Sequence, residues 1–216
     1  MIPMQDDDQP QGDADNSGQA PWSESDWSNY LRRQDLEVAR FLSYYNEVKS
    51  LPDRLDTCAR RMGWEPSEWS PGMEPPEAEA DAEIPADLPY CIHQHPVFVA
   101  GRALSLQAST AFRTVLRDSG KAVPPLLAAE VMLALWETHQ QVVLAVNATD
   151  TADLPLAAVH MKRALAGINT ALGLLQSLPA DARLSANAAF EDAESALFDL
   201  REVCLRVMND CRWGSE

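Results

Sequence analysis

Four long stretches of this chain repeat their apolar residues at alternating spacings of three and four, with short connections between them. A helix returns a side chain to one face every 3.6 residues and a strand every two, so the spacing selects helices. The first stretch, Val97 to Ser119, lines up Val97, Gly101, Leu104, Ala108, Phe112 and Val115 and stops before Gly120. The second runs from Pro124 to Asn147, with Pro124 and Pro125 in its first turn, where a missing N–H is tolerated. The third, Leu154 to Ser177, carries Met161, Leu165, Ile168, Leu172 and Leu175 ahead of Pro179. The fourth, Ala182 to Asn209, repeats Ala186, Phe190, Ala193, Leu197, Leu200, Cys204 and Val207 close to a heptad. No segment joins β-branched enrichment to period-two alternation, so no sheet is expected.

Short connections favour antiparallel neighbours. The expected fold is therefore all-α: an antiparallel up-down-up-down four-helix bundle over 92–213 with an additional long N-terminal helix packed on it. That helix is expected from Trp27 to Lys49. Ser23, Ser25 and Asp26 are possible N-caps, and Leu31, Val38, Phe41, Tyr45 and Val48 form its apolar stripe. Pro52 breaks it, and Leu55, Cys58 and Met62 continue in a short helix stopped by Gly63.

The charge lies elsewhere. The 216 residues carry 33 acids and 17 Lys or Arg, a formal charge of −16. Residues 1–30 hold seven acids and no Lys or Arg, and residues 64–90 hold eight and none, leaving −1 for the rest. The second segment also has six of the 15 prolines, each of which removes a backbone donor. One-sign charge with little apolar content cannot offset the entropy of ordering. The chain thus divides into a disordered acidic tail (1–22), a long plus a short helix (23–63), an acidic proline-rich linker (64–91) and the bundle (92–213). Trp22, Trp64 and Trp69 lie in or beside the acidic segments. They read as partner-binding anchors or as residues that fold back and cap the core.

An acidic balance argues against direct nucleic acid binding and against an anionic membrane surface. No run of about 18 apolar residues is present, so no membrane span is expected. Met1-Ile2-Pro3-Met4 followed by Asp6, Asp7 and Asp8 lacks the basic and apolar regions of a signal peptide. A cytoplasmic location follows as the expectation, with Cys58, Cys91, Cys204 and Cys211 reduced.

The segment after Pro124 is apolar around most of its circumference. Glu130, Glu137 and Gln141 make one narrow polar strip, while Leu133, Leu135, Trp136, Val142 and Val146 are among the residues covering the rest. Such a helix must be covered on several sides. The candidates are the N-terminal helix and a second copy of the chain. Ala157, Ala164, Gly167 and Ala171 on the next helix permit close approach.

Metal-ligating types fall in two places. His139 and His160 belong to facing positions of a hairpin and could meet in the bundle, where metal and cofactor sites are built. Cys91, His93 and His95 alternate along the chain, and an extended backbone would put all three on one side. Neither set has the carboxylates or fourth ligand of a closed site. The acids Glu191, Asp192, Glu194, Asp199 and Glu202 read as a solvated face, with Glu202 pairing to Arg206. Arg54, Arg60 and Arg61 read as partners in internal charge contacts. Phe198, on the same polar side, is either covered by the N-terminal helix or marks a partner surface.

There is no phosphate-cradling glycine loop, nucleophile elbow or convincing acid–base pair. The functional expectation is a non-catalytic helical-bundle interaction or scaffold protein with no cofactor, acting through a protein partner or through self-association as a homodimer. Two alternatives stand beside it. One is a bundle binding a transition metal or ligand through His139 and His160, or through Cys91, His93 and His95. The other is an acidic mimic that occupies a basic, nucleic-acid-binding protein.

Overall fold

The computed structural model describes residues 22–64 and 91–213. All regular structure among them is helical: α1 (Glu24–Val48), α2 (Arg54–Met62), a 3-10 turn at Ile92–Gln94, α3 (Pro96–Ser119), α4 (Pro125–Asp150), α5 (Leu154–Gln176), α6 (Ala180–Ser185) and α7 (Asn187–Trp213). The expected tail and linker lie outside the described residues except at Trp22, Trp64 and Cys91, and Trp69 lies outside them altogether.

Local chemistry accounts for the ends. Ser23 caps α1 through a capping box, its hydroxyl accepting from the Asp26 N–H while Asp26 accepts from the Ser23 N–H. Gly63 ends α2 at φ 81°, a left-handed position that costs glycine nothing. Asp153 caps α5 by accepting from the Leu156 N–H at 3.1 Å. The fourth apolar stretch is two helices: the chain breaks at Ala186 (φ −126°, ψ 33°) between α6 and α7. All seven stripe residues expected there are still buried.

α3 lies against α4 and α7, and α5 lies against the same two helices. The α4–α5 contact is the most extensive, and small residues explain why. Ala157, Ala164 and Ala171 are fully buried, and a Cβ on Gly167 would stand 2.4 Å from Thr138 Oγ1. Gly101 does the same between α3 and α4, where a Cβ would meet Val142 Cγ1 at 2.7 Å. Gln141 touches His160 and Thr138 touches Gly167, so positions rise along one helix as they fall along the other.

The N-terminal helix departs from expectation in two ways. Its buried stripe begins at Tyr30, not Leu31, which is 44% exposed. It lays that stripe on α3 and α2 rather than along α4. Among the described residues the N-terminal helix therefore makes no extensive contact with α4, contrary to one of the two expectations. Leu126, Leu133, Trp136 and Leu144 of α4 are 71, 53, 60 and 44% exposed.

Candidate functional site

The outer ridge of α4 is the least ordinary surface of the described residues. At about 100° per residue, Leu126, Leu133 and Leu144 fall within about 20° of one line, with Trp136 about 60° to one side of Leu133. A large exposed apolar set on one line is a mark of an interaction face, whereas scattered exposed leucines need no account. Leu106 of α3, 44% exposed, extends the face, because it shares a groove with Trp136. That groove, about 370 Å³, is lined by Arg102, Ser105, Leu106, Met132, Trp136 and His139 among others.

Two polar atoms of the groove are buried without a hydrogen-bond partner among the described residues, Ser105 Oγ and His139 Nδ1. An unmade bond of this kind typically costs about 1–3 kcal/mol. Burial, and then the charge of Arg102, hold the His139 imidazole below the usual histidine range. A neutral imidazole can accept at one nitrogen and donate at the other.

His160 is placed differently. Its Nδ1 lies 2.9 Å from Gln141 Oε1. Gln141 is two residues beyond His139 and so about 200° around the helix. The two histidines face different neighbours, His139 toward α3 and His160 toward α4's other flank. The structure does not bring them to one point.

Cys91, His93 and His95 are also separated, because the chain there is not extended. Residues 92–94 form a 3-10 turn, in which positions two apart are rotated by about 240° rather than aligned. His93 sits edge-on between Tyr30 and Phe98, with ring centroids 5.9 and 5.0 Å away. His95 caps α3, its Nδ1 accepting from the Val97 N–H at 3.2 Å. Burial lowers the pKa of both. Among the described residues no group of three or more His, Cys, Asp or Glu is placed to hold a metal ion.

The tryptophans at the edges of the acidic segments rest on the fold. Trp22 packs on Trp27 and Tyr30 at 4.8 and 5.6 Å, and Trp64 stacks on Phe41 at 5.7 Å. Phe198 is 47% exposed, so α1 does not cover it.

The acidic side of α7 is not a uniformly solvated face. Asp199 is 7% exposed and accepts from Tyr45 Oη at 2.5 Å, Arg54 Nε at 2.6 Å and Arg54 Nη2 at 2.8 Å. Arg54 also donates to Ser195 Oγ at 3.2 Å. Burial and then the Asp199 bond push the Tyr45 hydroxyl far above its usual range. Lys49 bridges Asp192, and Arg206 bridges Asp56 as well as the expected Glu202. The cluster ties α1 and α2 to α7. Burial pushes the Cys58 and Cys211 thiols up to about 11 and Cys204 up to about 12, which disfavours the reactive thiolate.

Periodicity marked Leu133 and Trp136 as apolar but not as bare, and it did not mark Leu126, Leu144, Ser105 or the Tyr45–Arg54–Asp199 cluster. The exposed leucines had one available signal, their nearly constant helical angle. Set against protein-family models, curated proteins and solved structures, the chain matches none. Among the described residues no helix is long and apolar enough to cross a membrane.

Proposed function

We propose that this chain is a non-catalytic helical interaction protein that docks a protein partner on the outer ridge of α4. In this reading α3, α4, α5 and α7 form an antiparallel up-down-up-down bundle with α1 packed on it. The alternating contacts of α3 and α5 with α4 and α7, together with short α3–α4 and α4–α5 loops and a connection from α5 to α7 through the short α6, support that arrangement. The observation that carries the functional reading is the line of Leu126, Leu133, Trp136 and Leu144, apolar and left 44–71% exposed. The buried cluster around Asp199 ties α1 and α2 to α7. A scaffold of this kind needs no cofactor.

The test is cross-linked capture from the host with the wild-type chain and with Leu133→Glu/Trp136→Ser. The expected result is a set of captured proteins, or of copies of the chain, lost in the variant while its circular dichroism is unchanged. Capture that is identical for both chains would refute the reading.

A second reading has one observation in its favour. The groove beside Trp136 has the size and mixed lining of a small-ligand site, and Ser105 and His139 each hold an unused polar atom there. Metal content of the purified chain and of His139→Ala, by elemental mass spectrometry, tests the transition-metal form of this reading. A stoichiometric metal lost in the variant would favour it over docking.

A further inference from the structure

We infer that the partner on the α4 ridge is a second copy of this chain, met antiparallel across a two-fold axis level with Ala134 and Leu135. The inference rests on the docking reading above and names its occupant. Three observations carry it.

The first is self-complementarity, which a two-fold contact requires because the same patch serves both sides. Counted in heptads, the ridge places Leu126, Leu133 and Gln140 at one seam position and Ala129, Trp136 and Val143 at the other. Turned end for end, Leu126 meets Val143 of the second copy, Leu133 meets Trp136, and Ala129 meets Gln140. Leu144, beside Val143, adds to the outer layers. Leu126, Val143, Leu133 and Trp136 each face an apolar group, Gln140 faces the small Ala129, and the Leu133–Trp136 pair falls at the centre, where anchors have most effect.

The second is area. Leu106, Leu126, Leu133, Trp136 and Leu144, each 44–71% exposed, present on the order of 500 Å² per copy. Two copies offer about 1,000 Å² of apolar surface alone, the threshold for a specific interface before any polar rim is counted. The groove of about 370 Å³ beside Trp136 gives the opposing side chains a recess to enter.

The third is charge. α4 contains Glu130, Glu137 and Asp150 and no Lys or Arg. In the antiparallel contact Glu130 of one copy comes within two residues of level with Glu137 of the other, a small repulsion that salt screens. A homodimer on this ridge therefore tightens as salt rises, both by screening and by stronger apolar association. A basic partner drawn to the same two glutamates would weaken instead.

Sedimentation velocity on the purified full chain across the micromolar range tests the inference. The expected result is a concentration-dependent dimer that tightens with salt. Leu133→Glu should raise its Kd by at least about tenfold, with circular dichroism, and melting of dilute monomer, unchanged. A mixture of Leu126→Cys and Leu144→Cys chains should form the mixed disulfide in preference to either self-linked product. A chain monomeric throughout, a dimer indifferent to Leu133→Glu, or self-linked products in excess would each overturn the inference. If the chain is monomeric yet captures a host protein through Trp136, only the second copy is refuted. If no capture depends on Trp136 either, the docking reading falls with it.

Discussion

The two outer sides of this helix assembly are finished in opposite ways. On the α7 side, α1 and α2 cover a face that carries carboxylates and meet it with Tyr45, Lys49 and Arg54, while Arg206 of α7 reaches Asp56 of α2. On the α4 side, no described element covers a face that carries leucines and a tryptophan. The Asp199 carboxylate is buried, while the ridge leucines of α4, with Glu130 and Glu137 beside them, are open. Both conditions depend on what lies opposite. A carboxylate can be buried when a guanidinium and a hydroxyl satisfy its lone pairs. An apolar ridge stays bare when its cover belongs to another molecule.

The contrast can be broken first at its closed side. Asp199→Ala would leave a half-buried guanidinium and the Tyr45 hydroxyl without their acceptor. Its expected cost is about 3 kcal/mol or more in urea unfolding, the usual result of removing one member of a buried pair. A loss below about 1 kcal/mol would mean that α1 and α2 are held by apolar contact alone.

Next in size is the α4–α5 seam that fixes the ridge in place. Gly167→Ala pushes a methyl into the stiff, β-branched Thr138 and should cost about 1–3 kcal/mol. Gly173→Ala on the same helix meets nothing within 4 Å and should instead gain about 0.5–1 kcal/mol. Equal effects at the two glycines would contradict the close approach.

A pH titration sharpens the account of the histidines. Burial holds His93, His95 and His139 below the usual range, so the unfolded chain takes up their protons first, at about pH 6.5. Their stabilising contribution is complete above that pH and is lost as pH falls through the folded values. The denaturation midpoint should therefore drop between about pH 7 and pH 5. A flat or rising profile there would show that the rings are accessible.

A smaller effect is expected at the turn between α4 and α5. Ala152 holds φ at 59°, where a Cβ is strained, so Ala152→Gly should leave stability unchanged or raise it by up to about 1 kcal/mol. The smallest lies on the open side. Trp136→Ser should alter unfolding of dilute protein by no more than about 0.5 kcal/mol, despite the size of the side chain removed.

The helices and their inward faces were legible because each is written in a local period. Phe112, Ile168, Leu197 and Cys204 are buried where that period puts them. The break at Ala186 was not legible, since no glycine or proline marks it. Nor was the fate of Asp199. Its partners lie 154 and 145 residues earlier, and hydropathy reads a lone acid on a polar face as solvated. His93 and His95 were misplaced for a local reason: alternation implies one face only in extended chain, and residues 92–94 turn instead. At the α4 ridge the composition was legible and the exposure was not. An apolar residue carries no sign of which molecule covers it.

The open ridge is the central claim, and oxidative footprinting of the full chain tests it most directly, read at Trp136 and Tyr45. In dilute protein Trp136 should be modified readily and Tyr45 hardly at all, and Trp136 should become protected as concentration rises. If Trp136 is as protected as Tyr45 in the most dilute sample, another part of the chain already covers the ridge, and the account is wrong.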